Sequence, residues 1–430
     1  MYIKKRRFYD ALLWFYFIGE TLVVVIAGGN FKAYFLISIL CFLLVMARKE
    51  TLNCILSSKV FVFESLWCLS FWFSTVLSDS IKGALLNTIS VSLYTMTTFL
   101  AMYMLMCNKM TIEQFQESLR ALFLVIIVYG LVQLLLFKTI GLKLGLNDFA
   151  NSQMIGWQIP GFSKEANGHG KLVGFTIAYC LPMLIDNEDR ELRKKYKVLM
   201  GLALATMLIS LTRSAAYADI IVLGVAMLLS LTSKRKARKT IGLMVGLLVL
   251  FGIAMYCIEN GIIKLDGVSM MKIERFFSLS EEELRSDSSG GFRMEAFDGT
   301  LSLWQHSMKT FLVGWGPGQA FQSIRGFIVR VSGLDTLGML ASIGVLGVAA
   351  YIVMSISVVS VLMKFIRNNY YRTFCLQLLY GYIFCFATNF IACVLYFPYL
   401  WLVVGATEYL EIKYTEEYSN SEIVLKESYR

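Results

Sequence analysis

The stretch ALFLVIIVYGLVQLLLF, residues 121–137, decides the fold class, because it contains no charged side chain. A second stretch, TIGLMVGLLVLFGIAMYCI at 240–258, has the same character. An α-helix needs about 20 mostly apolar residues to cross the hydrocarbon core of a bilayer. Stretches of this length and composition therefore predict helices that span a membrane.

The composition of the whole chain agrees with this prediction. Of its 430 residues, 57% are hydrophobic and 16% are charged, whereas a soluble domain has roughly 45–50% and about 25%. This excludes a soluble enzyme, a disordered scaffold and a disulfide-rich secreted domain. The nine cysteines form no CxxC pair and there are only two histidines, a pattern that indicates no metal site and no disulfide framework. We predict neither a metal nor another cofactor.

Hydropathy with charged breaks predicts an all-α polytopic membrane protein of about twelve spans, forming a single integral membrane domain over 1–430. Four prolines in the whole chain fit long, mostly unbroken helices. The predicted spans are 9–27, 33–47, 60–77, 83–106, 121–137, 172–186, 197–211, 215–232, 240–258, 334–363, 373–395 and 398–411.

The distribution of basic residues predicts the orientation. With the N-terminus in the cytoplasm, 25 of the 40 lysines and arginines lie on the cytoplasmic side, as the positive-inside rule requires. Both termini are therefore expected in the cytoplasm. The net charge of +10 reports this asymmetry, so we expect no nucleic-acid partner. The first residues, MYIKKRRFYD, lead into a span without a small-residue cleavage site, so we expect this segment to be retained.

Two segments on the predicted outer side are much longer than the others, one at about 138–171 and a large extracytoplasmic loop at 259–333. Loops of such length in a compact protein are usually functional. Within the large loop, Ser280 and Glu283 have the spacing of a capping box and predict a short helix over 278–286. The large loop is thus expected to be partly helical.

After the SSGG sequence at 288–291, the pattern predicts an amphipathic helix over 292–311. Its apolar stripe is Phe297, Leu301, Trp304 and Met308. Arg293 lies on the same face as this stripe, at the N-terminus of the helix, where a guanidinium beside free N–H groups suits a phosphate or diphosphate. The alternative is that Arg293 extends to the membrane surface or pairs with Asp287.

A glycine-rich turn follows in FLVGWGPGQAF, residues 311–321. Gly314, Gly316 and Gly318 around Pro317 predict a tight turn. Its backbone N–H groups are candidates for an anion-binding nest.

Arg213 lies in SLTRSAAYAD, residues 210–219, at the predicted outer end of a span. An arginine there is costly unless it faces a cavity and has a partner. Tyr217 lies four residues later, on the same face. Arg213 is a candidate anion ligand; the alternative is an ion pair with Asp219 that joins two helices.

The loop WQIPGFSKEANGHGKLVGF, residues 157–175, places several polar side chains at the edge of the membrane. Such groups are able to bind sugar hydroxyls or to assist proton transfer, and ordinary loop polarity is the alternative. Glu64, within another predicted span, has either a functional or a structural role. The polar residues of the loop are Lys164, Glu165, Asn167 and His169.

Taken in order, these features resemble the O-antigen ligase / O-antigen polymerase superfamily, the bacterial polymerases and ligases of lipid-linked polysaccharides. Four segments carry the resemblance: PGFSKEANGHGKLVGF, LTRSAAYADIIVLG, FRMEAFDGTLSLW followed by FLVGWGPGQAF, and SGLDTLGMLASIGVLG. Together they cover about 157–347. The resemblance implies a membrane glycosyltransferase architecture of the GT-C type.

The resemblance also implies roles for individual residues. In the family, two arginines grip the diphosphate of an undecaprenyl-diphosphate-linked sugar, and the matching positions here are Arg213 and Arg293. Ligases have a catalytic histidine at the start of the helix after the large loop. Here that position falls near Gly333, and the nearest ionisable group is Asp335. Asp335 is therefore the expected base, with Glu165 and His169 as rivals.

The expected function is a metal-independent polymerase of lipid-linked repeat units, for O-antigen, capsule or exopolysaccharide, at the outer face of the bacterial cytoplasmic membrane. The expected partners are undecaprenyl-diphosphate-linked oligosaccharide, the lipid bilayer, a flippase and a chain-length regulator. A ligase is disfavoured by the missing histidine. A flippase, from a different class, is disfavoured because the candidate ionisable groups cluster at the outer ends of the spans and the two halves are unrelated in loop length.

Overall fold

The computed structural model describes most of the chain. The described residues are 2–18, 23–26, 29–146, 148–163, 165–210, 212–262, 267, 270, 273, 288–324, 327–331, 335–393, 395 and 397–428.

In chain order, the elements of the described part are mostly helices, with two short β-hairpins. They are α1 (Tyr2–Ile18), β1 (Val23–Ile26), β2 (Gly29–Lys32), α2 (Tyr34–Met46), α3 (Lys49–Ser57), α4 (Lys59–Val76), α5 (Ile81–Thr95), α6 (Thr98–Met106), α7 (Ile112–Ile140), α8 (Asp148–Ser152), α9 (Ala166–Ile185), α10 (Arg190–Ser210), α11 (Arg213–Ser230), α12 (Lys234–Glu259), α13 (Ser288–Trp304), α14 (Met308–Val313), β3 (Phe321–Ile324), β4 (Phe327–Arg330), α15 (Thr336–Arg367), α16 (Arg372–Ile391) and α17 (Pro398–Ser428).

The chain divides into two compact units. Unit 1 consists of Met1–Gln116, Phe292–Leu378 and Cys393–Arg430, and unit 2 consists of Glu117–Gly291 and Leu379–Ala392. Helices α7 and α16 contribute residues to both units.

Eight helices of the described part are long and apolar enough to cross a membrane, which agrees with the predicted class of helical membrane protein. In α12, the most apolar window has no buried residue, as expected of a helix whose surface faces lipid. Helices α5 and α6 count together as one of them, and the eight are Lys59–Val76, Ile81–Met106, Ile112–Ile140, Ala166–Ile185, Arg213–Ser230, Lys234–Glu259, Thr336–Arg367 and Arg372–Phe390.

The other four sequence-predicted spans begin or lie in helices that do not meet these criteria. The prediction at 9–27 is wrong in its second half, because α1 ends at Ile18 and Val23–Ile26 pairs antiparallel with Gly29–Lys32. Helix α10 begins at Arg190, so basic residues occupy its first two turns. Helix α2 has 13 residues. The segment 398–411 is the start of α17, which continues into a charged sequence.

The centre of unit 1 is a close approach of two backbone segments. Gly314 follows α14 with φ +76°, and Gly344 breaks α15 with φ +65°. A Cβ atom at Gly314 would overlap the backbone of Ser342, and one at Gly344 would overlap the backbone of Leu312. Both positions therefore require glycine, for their positive φ and for the contact itself.

Hydrogen bonds fix this contact. The N–H of Trp315 donates to the carbonyl of Ala341 at 2.8 Å, and the N–H of Gly316 donates to that of Ser342 at 3.0 Å. The Ser74 hydroxyl of α4 donates to the carbonyl of Ser342 at 2.7 Å, and the hydroxyl of Ser78, just after α4, donates to that of Trp315 at 3.0 Å. The kink in α15 and the turn at 314–318 thus satisfy each other's backbone groups.

The prediction of an anion-binding nest in this turn is wrong for most of its N–H groups. Gly314, Gly316 and Gly318 all have positive φ, as expected of a tight turn. However, the N–H groups of Gly314, Trp315, Gly316 and Gln319 all donate to backbone carbonyls. They are already satisfied and are not available to an anion.

The sequence-predicted helix over 292–311 is also interrupted. Helix α13 ends at Trp304, and Ser307 begins α14 through a capping box with Thr310. The side chains of Phe297 and Met308 are 39% and 74% exposed, so the predicted apolar stripe is not a buried face. The SSGG sequence at 288–291, after which the helix was predicted to begin, lies within the first turn of α13.

The remaining features of the large loop divide between a hairpin and undescribed residues. Strands β3 and β4 pair antiparallel, with Phe321 opposite Arg330; the sequence did not predict them. The helix expected over 278–286, with Ser280 and Glu283, lies outside the described residues.

We predict that Gly344→Ala will destabilise unit 1 by about 3 kcal/mol or more, because a left-handed φ and a backbone overlap add together. Thermal unfolding of the purified protein in detergent measures this change. Gly252→Ala is the matched control: Gly252 lies in α12 and a Cβ there meets nothing within 4 Å, so the change is expected to stabilise by at most about 1 kcal/mol. Equal stability of the two variants would contradict the prediction.

Candidate functional site

The sequence-predicted site residues divide between the two units. Glu165, Asn167, His169, Arg213 and Tyr217 belong to unit 2. Two further residues belong to unit 1. They are Asp335 and Arg293. The backbone of Arg293 belongs to α13, and its side chain is outside the described part. Lys164 is also outside the described residues.

Helix α9 is the central helix of unit 2. Nearly all of its residues are buried, and small residues let its neighbours approach closely. A Cβ atom at Gly170 would overlap the side chain of Thr212, and one at Gly174 would press against Phe384 and Ala215. The beginning of α9 therefore lies directly against the beginning of α11. Two motifs that are far apart in the sequence, KEANGHGK and LTRSAAY, are brought together here.

The N-termini of α9 and α11, which are the positive ends of the two helix dipoles, are not capped by side chains. The N-cap residues are Glu165 for α9 and Thr212 for α11, and neither side chain caps its helix. Arg213 is the first residue of α11 and is half-buried, and Lys171 is only 4% exposed. Two helix N-termini and two cationic residues, Arg213 and Lys171, thus lie in the same part of unit 2 as the carboxyl group of Glu165.

Lys171 is a candidate that sequence reasoning missed. It directly follows Gly170, the residue that contacts Thr212. The sequence did contain a signal for it. Lys171 directly precedes a predicted apolar span, a position where a charged side chain requires a partner.

The other predicted binding residues of unit 2 differ in exposure. Glu165 and Asn167 are exposed, and Tyr217 is half-buried one turn beyond Arg213. The exposed pair is therefore accessible for binding hydroxyl groups.

His169 has a different setting from its neighbours in the loop. Its side chain is 0% exposed, and neither ring nitrogen has a hydrogen-bond partner among the described residues. A Cβ atom at Gly130 or at Gly161 would overlap the imidazole ring. His169 is thus enclosed between α7 and the loop that precedes α9 and has no direct access to solvent.

Gln133 holds this loop in place. Its Oε1 accepts from the N–H of Gly161 at 2.9 Å, and its Nε2 donates to the carbonyls of Leu144 at 2.7 Å and Gly161 at 3.2 Å. The rings of Tyr129 and Phe162 stack beside it, 4.0 Å apart. Sequence reasoning did not single out Gln133, although it is the one polar amide in the apolar stretch 121–137.

The alternative reading of Arg213 as an ion pair with Asp219 is wrong. Asp219 is 7% exposed, and its two carboxyl oxygens have no hydrogen-bond partner among the described residues. Since Asp219 faces the interior of unit 2 instead, Arg213 is not neutralised by it.

In unit 1, Asp335 is the N-cap of α15. Its Oδ1 accepts from the N–H of Gly338 at 2.7 Å, and the residue is half-buried. The sequence-predicted base therefore also has a structural role in beginning this helix.

Among the described residues, there is no group of three or more histidine, cysteine, aspartate or glutamate side chains that would hold a metal ion. No protein-family model matches this chain, and no curated protein matches it.

We predict that Gln133→Leu will loosen the loop before α9, because it leaves the buried N–H of Gly161 without its acceptor. A loss of about 1–3 kcal/mol is expected for such an unsatisfied group. Hydrogen exchange followed by mass spectrometry measures it: peptides covering 157–163 should exchange faster in the variant, while peptides of α12 serve as the internal control. Unchanged exchange in 157–163 would show that Gln133 does not hold the loop.

Proposed function

We propose that this protein is a polymerase that joins undecaprenyl-diphosphate-linked oligosaccharide repeat units into O-antigen, capsule or exopolysaccharide. The proposal includes a membrane glycosyltransferase architecture with about twelve spans, cytoplasmic termini and an extracytoplasmic site in the bacterial cytoplasmic membrane. The observation that supports it best is the meeting of α9 and α11 at Gly170 and Thr212, with Arg213 at the junction.

The proposed reaction is glycosyl transfer from a lipid diphosphate. A hydroxyl oxygen of the acceptor sugar bonds to the anomeric carbon of the donor, the bond from that carbon to the diphosphate oxygen breaks, and undecaprenyl diphosphate leaves with the electron pair. Arg213 and the two helix N-termini would stabilise the charge that grows on the leaving group, without a metal. The family resemblance implies Arg293 as a further diphosphate ligand.

The hydroxyl proton passes to a base. Asp335 is the proposed base, and its capping bond to Gly338 uses only one of its two oxygens. Glu165 is the principal rival, since it is exposed and its side chain does not cap α9. His169 is enclosed, which favours a role in positioning the loop over direct proton transfer.

A flippase for the same lipid-linked sugars is the second candidate function, and one observation favours it. The sequence-based argument against a flippase was that ionisable groups cluster at the ends of spans. The structure has buried carboxyl groups inside candidate membrane helices, at Glu64 in α4 and Asp219 in α11. A transport pathway uses groups of this kind.

Incubation of the purified protein in liposomes with lipid-linked oligosaccharide separates these functions. A ladder of products supports a polymerase, and a single transferred product supports a ligase. Movement of the lipid across the bilayer without a new glycosidic bond supports a flippase.

We predict that Arg213→Ala will lower polymerisation by about 10²–10³-fold, as expected when one donor to a developing anion is removed. Arg293→Ala should have a similar effect, and Arg213→Lys should retain part of the activity because a charge remains. The length of the product ladder measures each effect. Arg235→Ala is the control, because Arg235 is exposed and pairs with Glu188. Normal ladders in both alanine variants would rule out the diphosphate clamp.

We predict that Asp335→Asn will reduce turnover more than substrate binding. Asparagine is as good an N-cap as aspartate, so the beginning of α15 is preserved while the proton acceptor is lost. Separate measurement of kcat and KM tests this, with Glu165→Gln as the parallel variant. Full activity of Asp335→Asn together with an inactive Glu165→Gln would move the base to Glu165.

A further inference from the structure

Unit 1 contains a pair of buried carboxyl groups that the proposed glycosyl transfer does not use. Glu64 of α4 is 4% exposed and Glu408 of α17 is 0% exposed. The two groups are neighbours and interact electrostatically. Oε2 of Glu64 and both carboxyl oxygens of Glu408 have no partner that meets hydrogen-bond geometry in the described part of the chain.

Among the described residues that act on this pair there is no compensating cation. The other ionisable groups that act on Glu64 and Glu408 are the thiol of Cys68, also on α4, and the carboxyl of Glu411, also on α17. Neither is basic. Two neighbouring carboxylates in an apolar interior repel each other and both lose their hydration. At least one of the two must therefore carry a proton.

Aromatic rings lie along the same two helices. One turn beyond Glu64, the ring of Trp67 stacks on Trp401 of α17 with centroids 5.6 Å apart, and it also contacts the ring of Tyr351. The indole N–H of Trp67 is itself buried and has no hydrogen-bond partner among the described residues. On this side the pair is bordered by large, buried side chains.

Glu411 lies on the other side of the pair, one turn after Glu408 on α17, and is half-buried. Its Oε2 accepts from the hydroxyl of Ser58 at 2.7 Å and from the N–H of Val60 at 3.3 Å, at the beginning of α4. The three carboxyl groups Glu411, Glu408 and Glu64 thus form a series that leads from the N-terminal end of α4 into the interior. In the proposed topology this end of α4 faces the cytoplasm.

We propose that Glu64 and Glu408 form a proton-binding site in unit 1, which exchanges its proton with the membrane face at which Glu411 lies. Loading breaks an O–H bond of a hydronium ion and forms one on a carboxylate oxygen, which turns a buried anion into a neutral acid. The site does not depend on the proposed polymerase function, since its only ligand is a proton.

Infrared spectroscopy of the purified full-length protein in lipid nanodiscs tests the site. A protonated carboxyl group gives a C=O band that is distinct from that of a carboxylate and shifts in D₂O. At neutral pH we expect such a band, we expect Glu64→Gln with Glu408→Gln to remove part of it, and we expect that part to disappear when the pH is raised. Asp219→Asn is the matched control, because it removes a buried carboxyl group of unit 2 and should leave the pair's component in place.

Two results would overturn the proposal. One is a wild-type band at neutral pH that the double variant leaves unchanged. The other is a Glu411→Gln variant whose band exchanges with D₂O as fast as that of the wild type, which would contradict loading through Glu411.

A second measurement needs no variant, in case the double substitution does not fold. Dicyclohexylcarbodiimide enters apolar regions and forms adducts with protonated carboxyl groups. Peptide mass spectrometry of the treated wild-type protein should find the adduct on Glu64 or Glu408 at neutral pH, and less of it at alkaline pH. Absence of an adduct from both residues would count against a protonated pair.

Discussion

The constraint on which this structure depends is that backbone N–H and C=O groups away from water must find partners inside the protein. Unbroken helices meet it locally. Where α15 breaks at Gly344, the freed carbonyls of Ala341 and Ser342 accept from the turn at 314–316, and the Ser74 hydroxyl of α4 also donates to Ser342. Gln133 does the same for the loop at Gly161. Each irregular segment is thus held by specific donors and acceptors that come from another element.

The same constraint distinguishes two glycine-containing regions by the partners of their backbone N–H groups. In the turn at 314–318, backbone N–H groups are used up by carbonyls of α15, so the turn is a structural joint. At the beginnings of α9 and α11, the N-cap side chains leave the helix ends uncapped, and Arg213 lies beside them. The second region is the one that we propose binds a diphosphate, since N–H groups already donated to carbonyls leave the first with little to offer an anion. The number of glycines in a motif does not distinguish these cases, because the distinction depends on the partners of the N–H groups.

Several features were predictable because they depend on neighbouring residues only. The apolar stretches gave eight helices of membrane-spanning length. The sequence placed Arg213 at the outer end of one predicted span, and in the structure it is the first residue of the next helix, α11. The break at Ser307 has a local signal too, since its capping box with Thr310 competes with continuation of the helix. The exposure of Phe297 and Met308 had no such signal, because in a membrane protein an apolar side chain faces lipid as readily as a core.

The sequence by itself determined the helical membrane class, most of the helix positions and the candidate ionisable residues, because hydropathy and helix period act over a few turns. Only the tertiary structure decided which of these residues meet. It placed Gly170 against Thr212, enclosed His169 between Gly130 and Gly161, and put Glu64 beside Glu408. These contacts join residues far apart in the chain. The physical reason is that helices apolar on all sides carry little periodic signal for which face packs against which neighbour, so small residues and a few buried polar groups select the partners.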